Sequence, residues 1–481
     1  MAKRFTVAII GCGSRGAEAY GRLMAEERDK FEIVALCDIN EDKLRKYGEI
    51  FGVNRQNLFS EEEKFFEKRL ADAIVIATMD GDHVRQCERA LQLGYDILLE
   101  KPVTASEEEC ERLLCAHKKY GGKVVVCHVL RYAPAYVRMK ELLDSGECGK
   151  LIMIDSIEQV CYWHQAHSFV RGNWRNSKES SPMILQKCCH DLDLLQYYAG
   201  DRCEAVSSMG DLSYFRRENQ PQGAADRCTD CKYVDSCIYS AKNIYIGLWK
   251  SVGSPANCWP YSVLTTEYPL TEQNLQRAIE TGPYGRCVYA CDNDVVDHQI
   301  VEMRFFNGIK ANLRMTAFTA GGGRIMKFYC TEGQIELDEG TNKITVRKFN
   351  RPETTIDCEA LIEGGHNHGG GDGGLIKEFY KVLSGAEDAP TRLEDSVESH
   401  LIAIRAEESR LAGGELRQVH MEMRRRLIKI SYSNSKNSFS TFSSRALRRS
   451  RSCDRISPTL LVSEKIEIAC FEDIICRREE K

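Results

Sequence analysis

The chain has 481 residues and a formal net charge of −5, room for two domains of ordinary size and no electrostatic ground for a nucleic-acid partner. Hydrophobic residues at 43% and charged residues at 28% are the balance of a soluble globular protein, and no apolar run reaches the roughly 20 residues of a membrane span. The start, Met1-Ala2-Lys3-Arg4, runs into a strand-like segment without the apolar region and cleavage site of a signal peptide, so a cytoplasmic location is expected, and with it reduced thiols for most of the 22 cysteines.

Phe5–Ile10, Glu32–Cys37, Ala73–Thr78, Asp96–Glu100 and Val124–His128 read as short apolar strands. Ala17–Arg28, Asp42–Phe51 and Ser106–Tyr120, between them, have helical spacing. This alternation predicts a parallel sheet covered on both faces and doubly wound by right-handed crossovers. Cys12, Cys37, Cys115 and Cys127 lie in the apolar segments as small buried hydrophobes. After Gly149 come Leu151–Val160, Val295–Phe306, Gly308–Thr319, Ile325–Cys330 and Gln334–Leu337, with Asn307-Gly308 as a hairpin turn. They predict a second α/β domain with a mainly antiparallel sheet. Met183–Tyr198, Gly374–Leu383 and Ser396–Leu411 read as helices, and Ser207–Asn293, rich in Cys, Tyr, Gly and Pro, as an insertion with little regular structure. From about Met421 a basic Ser/Arg-rich stretch is expected to be disordered. It is read as an artefactual gene end, with a functional basic arm as the alternative. The expected domains are therefore 1–130, 131–420 with the insertion at 207–293, and the tail 421–481.

Gly11-Cys12-Gly13-Ser14-Arg15-Gly16 fits G-x-G-x-x-G between a strand and a helix, the context that lets a helix N-terminus cradle a pyrophosphate. Asp38 ends the second strand, where a carboxylate can accept both ribose hydroxyl protons and repel a 2′-phosphate. NAD is thus expected, with NADP disfavoured; a helix N-cap is the alternative role for Asp38. Thr78 and Glu100, at the carboxyl ends of the next strands, and His83 are counted with the cofactor set.

Three segments in order, the G-C-G-S-R-G loop, A-L-Q-L-G-Y-D-I-L-L-E-K-P over 90–102 and K-C-C-H-D-L-D-L-L over 187–195, make the chain resemble the Gfo/Idh/MocA oxidoreductases over about residues 5–415. The resemblance implies a Rossmann domain followed by an α/β domain whose open sheet faces the nicotinamide and often supports oligomerisation. It also implies sugars, cyclitols and related compounds as substrates. Oxidising a secondary alcohol needs a base for the hydroxyl proton while the hydride leaves. His190, on an expected helix, is the candidate base. Lys101, after a strand at the cofactor crevice, is placed to hydrogen-bond the reacting oxygen, and Glu100 beside it to face the cofactor. Where family members often carry an aspartate four residues before the histidine, this chain has Gln186, so a simple Asp–His relay is not expected. Lys187 matches a K-x-x-H variant and could hold substrate oxygen or tune His190. A helix histidine capped by Asp191 or Asp193 is the plainer reading of His190.

Arg131, Tyr162, His164, His167, Arg171 and Trp174 are candidate sugar-binding residues; the aromatic and basic stretch could equally be a core edge or a subunit contact. His366 and His368, before a glycine run, read as loop residues rather than metal ligands. Cys228, Cys231 and Cys237 have a spacing suited to structural Zn²⁺, with Cys203, Cys258, Cys287 or Cys291 as a fourth ligand. Iron–sulfur ligation and unligated thiols stay open. The expected function is an NAD-dependent oxidoreductase acting on a small sugar or polyol, as a homo-oligomer with no membrane or nucleic-acid partner. A redox-assisted glycosidase and a non-catalytic sensor are the alternatives.

Overall fold

The computed structural model describes residues 3–362, 367–385 and 389–420. His366 and the predicted tail lie outside the described residues. The chain divides into one compact unit, Met1–Arg417, and a second, Gln418–Lys481; the fold is that of the first.

Six parallel strands form the first sheet: β1 (Phe5–Ile10), β2 (Phe31–Cys37), β3 (Leu58–Phe59), β4 (Ala73–Ile76), β5 (Asp96–Leu99) and β6 (Val124–Val126). Their order is β3-β2-β1-β4-β5-β6, the doubly wound order whose ligands sit outside the carboxyl strand ends where the winding reverses, between β1 and β4. Alternate side chains of β1 feed two cores, Phe5, Val7 and Ile9 on one face and Ala8 and Ile10 on the other, as the period of a strand requires. Local signals set the helices: Ser106 Oγ accepts from Glu109 N at 3.3 Å ahead of Glu107–Tyr120, a helix acidic in its first turn and basic in its last.

The second sheet contains, in spatial order, β14 (Thr354–Asp357), β13 (Lys343–Lys348), β12 (Gly333–Asp338), β11 (Gly323–Cys330), β7 (Leu151–Gln159), β10 (Lys310–Thr316), β9 (His298–Phe305) and β8 (Cys203–Asp211). Only β7 and β10 run parallel in this series. The turn at Asn307-Gly308 is present, with Gly308 at φ +91° and its N–H on Phe305 O at 3.0 Å. The helices Gly371–Leu383 and Leu393–Leu411 return to the first sheet: Leu375, Ile376 and Phe379 share a core with β1, and Leu393 and Val397 pack on its other face. The first layer therefore draws on the end of the chain as well as on residues 1–130.

Three expectations are corrected. The helix expected over Met183–Tyr198 is two, Met183–Gln186 and Cys189–Ala199, broken at Lys187 and Cys188. β8 was expected partly as insertion, because its small polar residues Ser207, Ser208 and Gly210 hide the strand pattern. The insertion itself is not without structure. Phe215, Tyr239, Tyr245, Trp249, Leu275 and Tyr284 join Ala166, Val170 and Ala317 in a core of their own, and Glu272–Thr281 is a helix with a Thr271/Asn274 capping box.

Candidate functional site

The glycine loop leaves β1 at Gly11, whose φ is +89° and where a Cβ would stand 2.3 Å from Ala77 O. At Gly16 a Cβ would stand 2.0 Å from Gly11 O, so the helix that begins at Ser14 approaches the loop this closely only because residue 16 is glycine. Gly13 differs: a Cβ there would meet nothing within 4 Å, so its bare backbone borders open space that a phosphate can enter. Asp38, at the end of β2, faces this loop. Its Oδ2 accepts from Cys12 N at 2.7 Å and its Oδ1 from Asn40 N at 2.8 Å. Asn40, accepting from Lys43 N, caps the helix Glu41–Phe51, so Asp38 is not that helix's N-cap. Burial, then the Asp38 charge, pushes the Cys12 thiol up, which keeps it a packing group. Thr78 Oγ1 donates to Gln86 Oε1 at 2.7 Å. His83 is buried, with Nδ1 2.7 Å from Pro102 O and Nε2 3.3 Å from Thr78 O; it ties the ends of β4 and β5 together.

Arg15 is the hub of the loop. It donates to Glu100 Oε1 at 2.9 Å, to Tyr20 Oη at 2.6 Å, and through both terminal nitrogens to Asp372 at 2.7 and 3.1 Å. Glu100 also accepts from Tyr20 Oη at 2.6 Å and from Lys101 N at 2.8 Å. Burial alone would raise the Glu100 pKa; the Arg15 and Lys101 charges outweigh it and hold it below the usual carboxylate range. Asp372 is likewise held down against its burial, by His368 and Arg15. Tyr20 and Asp372 were not singled out from sequence. Asp372 begins a helix more than 350 residues beyond the loop in the chain, a distance no local pattern bridges.

Lys101, after β5, reaches across to the broken helix: its Nζ donates to Gln186 O at 3.1 Å, at the break. His190, on the next turn, is buried, and its Nδ1 has no hydrogen-bond partner among the described residues. Its ring lies 5.9 Å from that of His128 and 6.5 Å from that of His368, centroid to centroid. Burial first, then Lys101, His128, Arg324 and His368, hold the His190 pKa well below the ordinary imidazole value. The ring is therefore neutral at neutral pH. The neighbouring aspartates do not serve it. Asp191 binds Arg324 Nε at 2.8 Å, and Asp193 takes a two-pronged bond from Arg131, both arms 2.7 Å. Arg131 is thus committed to an ion pair rather than free for a substrate. Lys187 Nζ sits 2.9 Å from Glu158 Oε1, and Glu158 Oε2 2.8 Å from Arg324 Nη2. Burial opposes the Lys187 charge, but Glu158 prevails and raises its pKa, so Lys187 stays an ammonium. Sequence reasoning missed His128, Glu158 and Arg324. A signal existed for two of them: His128 follows a parallel strand at its carboxyl end, and Glu158 alternates with Ile154 and Ser156 on the buried face of β7.

The aromatic stretch is divided. His164 packs between Trp163 and Trp259, ring centroids 5.7 and 5.0 Å away. Burial, then Lys187, His167 and Lys101, hold its pKa well below the ordinary imidazole value. His167 instead stacks on Tyr284 at 4.8 Å and bonds Tyr245 Oη at 3.0 Å, while Arg171 turns into the insertion core. Trp174 lies 6.4 Å from Phe169, and Tyr162 against Tyr239. The structure thus brings Lys101, His190 and Lys187 to one region, commits Arg131 and Arg171 elsewhere, and packs His164 and His167 on one ring, that of Trp259. Cys228 is buried and Cys231 and Cys237 half-buried, all with free thiols. Among the described residues no three His, Cys, Asp or Glu side chains form a ready metal-binding group.

Known proteins carry the same architecture. Residues 5–128 match the family model described as oxidoreductase family, NAD-binding Rossmann fold, and residues 136–230 match the GFO/IDH/MocA C-terminal domain. YteT of Bacillus subtilis, described as an oxidoreductase, is 24% identical over 415 residues, covering 79% of this chain and 92% of that one. An inositol 2-dehydrogenase of Saccharopolyspora erythraea is 25% identical over 40% of this chain and 53% of its own length. A crystal structure of an oxidoreductase from Agrobacterium radiobacter, in complex with NAD+, L-tartaric acid and magnesium, superposes with a TM-score of 0.62 at 14% identity, over 87% of this chain and all of the other.

Proposed function

This chain belongs to the Gfo/Idh/MocA oxidoreductase family, and we propose that it is an NAD-dependent dehydrogenase or reductase acting on a secondary hydroxyl or keto group of a sugar, cyclitol or glycoside. The observation that carries this reading is the meeting of the Lys101 ammonium with the stretch that bears a buried, neutral His190, beside the glycine loop. Gly11, Gly13 and Gly16 would hold the cofactor's pyrophosphate and Asp38 its ribose; the open space at Gly13 and the Asp38 carboxylate facing the loop fit that group. When bound, NAD supplies the hydride acceptor or donor. Lys101 donates a hydrogen bond to the reacting oxygen and favours its negative charge, and His190 takes the hydroxyl proton on its imidazole. Lys187, held as an ammonium by Glu158, is unsuited to be the base and orients substrate oxygen instead. Residues 1–130 serve the cofactor and also bring Lys101 to the substrate, and 131–420 supply His190 and the rest of the substrate side. Inositol 2-dehydrogenase among the relatives supports cyclitols as the first substrates to try.

The same reading places the protein in the cytoplasm as a homo-oligomer. Among the described residues no helix is long and apolar enough to cross a membrane. Met153 and Ile300, on one face of the second sheet, are exposed apolar side chains suited to a subunit contact. The test is to incubate the purified chain with NAD+ and a panel of cyclitols, sugars and glycosides, following NADH and glycoside cleavage together. Net NADH from at least one polyol supports the dehydrogenase. Glycoside cleavage without net NADH replaces it with the redox-assisted glycosidase.

A further inference from the structure

A base that takes a proton at every turnover must also give it up, and His190 is only 7% exposed. Most ways out of its surroundings are closed. Lys101 and Arg324 are cations and accept no proton. Asp191 and Asp193 are held by Arg324 and Arg131. On one side stands the His128 ring, buried, with neither nitrogen hydrogen-bonded among the described residues. Beyond it His400 accepts at Nε2 from Val103 N at 2.8 Å, so its Nδ1 carries the proton and donates to Ser396 O. Both nitrogens of His400 are engaged, and that side is a closed end.

On the other side stands His368. Its ring centroid is 6.5 Å from that of His190, a gap that one water spans, and its side chain is 41% exposed. Its Nδ1 lies 3.2 Å from Asp372 Oδ2. Asp372 is buried and takes Arg15 on both oxygens. It is an ionised acceptor, so the Nδ1 of His368 must be the donor and Nε2 is left as the acceptor. The backbone is bent to the same end. His368 sits in the left-handed region at φ +48° and ψ +42°, followed by Gly369 and Gly370, which are left-handed too. Glycine enters that region freely, whereas a histidine is held there under strain, and such strain gathers where a side chain is positioned for a task.

We propose that His368, held by Asp372, carries the proton between His190 and solvent. His368 has this role only if the chain is the dehydrogenase or reductase proposed above. In oxidation the substrate hydroxyl proton passes to His190. The His190 imidazolium gives one proton through a bridging water to Nε2 of His368. That ring, doubly protonated beside the Asp372 carboxylate, then releases the Nε2 proton to solvent and returns to its starting form. Reduction runs the same path inward. No electron moves along it; the hydride pair stays between substrate carbon and nicotinamide. His368 acts through His190 and does not touch the substrate. Since Asp372 also binds Arg15 of the glycine loop, the outlet is anchored to the element that would hold the cofactor's phosphates.

The test uses the full-length chain with His368→Gly, a residue at home in the left-handed region whose missing ring leaves room for a small base. At saturating NAD+ and low buffer, kcat with a polyol from the panel should fall at least about tenfold, less than the hundredfold or more expected for loss of His190 itself. Added imidazole should restore it in proportion to its concentration, and the solvent deuterium effect on kcat should grow. Unchanged turnover, or a loss that imidazole does not relieve, would overturn the proposal. Nitrogen NMR of the chain labelled with 15N-histidine, the His368 signals assigned by their absence in His368→Gly, reads the pair without turnover. The neutral ring should carry its proton on Nδ1. A neutral His368 protonated on Nε2 would overturn the outlet even in an active dehydrogenase. No NADH from any polyol, with His368 protonated on Nδ1, would instead overturn the dehydrogenase reading and the outlet with it.

Discussion

Lys101→Met removes the ammonium and keeps a side chain of similar reach. Among the described residues that ammonium makes a single protein hydrogen bond, to Gln186 O at 3.1 Å, so the fold should lose no more than about 1.5–3 kcal/mol, the worth of one charged hydrogen bond. The effect on chemistry should be larger in kinetic terms. Loss of a preorganised donor at a developing oxyanion costs about 10²–10³ in kcat, about 2.7–4 kcal/mol. NAD+ binding should persist, because the Gly11–Gly16 loop and Asp38 are untouched. The pH profile supplies a second readout. His190 is held below the ordinary imidazole value by burial and, next, by Lys101. Removing that positive charge makes the imidazolium less unfavourable, so the His190 pKa rises, while burial still keeps it below the ordinary value. The acid limb of kcat/KM should therefore move to higher pH in Lys101→Met. The assay is steady-state oxidation of a polyol from the panel at saturating NAD+, across pH, with calorimetry for NAD+ binding. Combining Lys101→Met with His190→Ala should cost less than the sum of the two, since both act on one proton transfer. Near-normal turnover, or an acid limb that moves to lower pH, would refute the assignment of Lys101 as the donor beside His190.

Two further outcomes follow from the same geometry. Asp38→Ala should weaken NAD+ binding and narrow the preference over NADP+, measured by calorimetry with both dinucleotides; tighter binding of NADP+ to the unsubstituted chain would contradict the role given to Asp38. Arg131→Met strands the buried Asp193 carboxylate and should lower unfolding stability by about 3–5 kcal/mol, with Arg131→Met/Asp193→Leu recovering most of it in urea titrations. A double variant no more stable than the single one would show that the pair is not what holds those elements together.

Much of the first layer can be read from the chain because its signals are local. An apolar run, G-x-G-x-x-G and an acid at the end of the next strand all fall within Phe5–Asp38, and Lys101 follows its strand directly. The second layer is less legible. β8 carries serines and glycine where a strand pattern wants branched apolar residues, and it holds because β9 pairs along its whole length. The surroundings of His190 are assembled from far apart: Arg324 comes from β11, Glu158 from β7 and His128 from the end of β6. Helical periodicity ran through Lys187 and Cys188 and so concealed the break at which Lys101 meets Gln186. Arg171 reads in sequence like a polar residue beside a sugar site. The fold buries it against sulfur, which only the packing of the insertion reveals.

The central claim is direct hydride transfer between substrate carbon and nicotinamide, with His190 taking the proton. A polyol that passes the panel, carrying deuterium on the carbon that is oxidised, tests it in one measurement by mass spectrometry of the recovered cofactor. The account predicts one deuterium per reduced nicotinamide from the unsubstituted chain, at a rate lowered about a hundredfold or more in His190→Ala. Reduced cofactor without deuterium, or label transferred equally fast in His190→Ala, would contradict it.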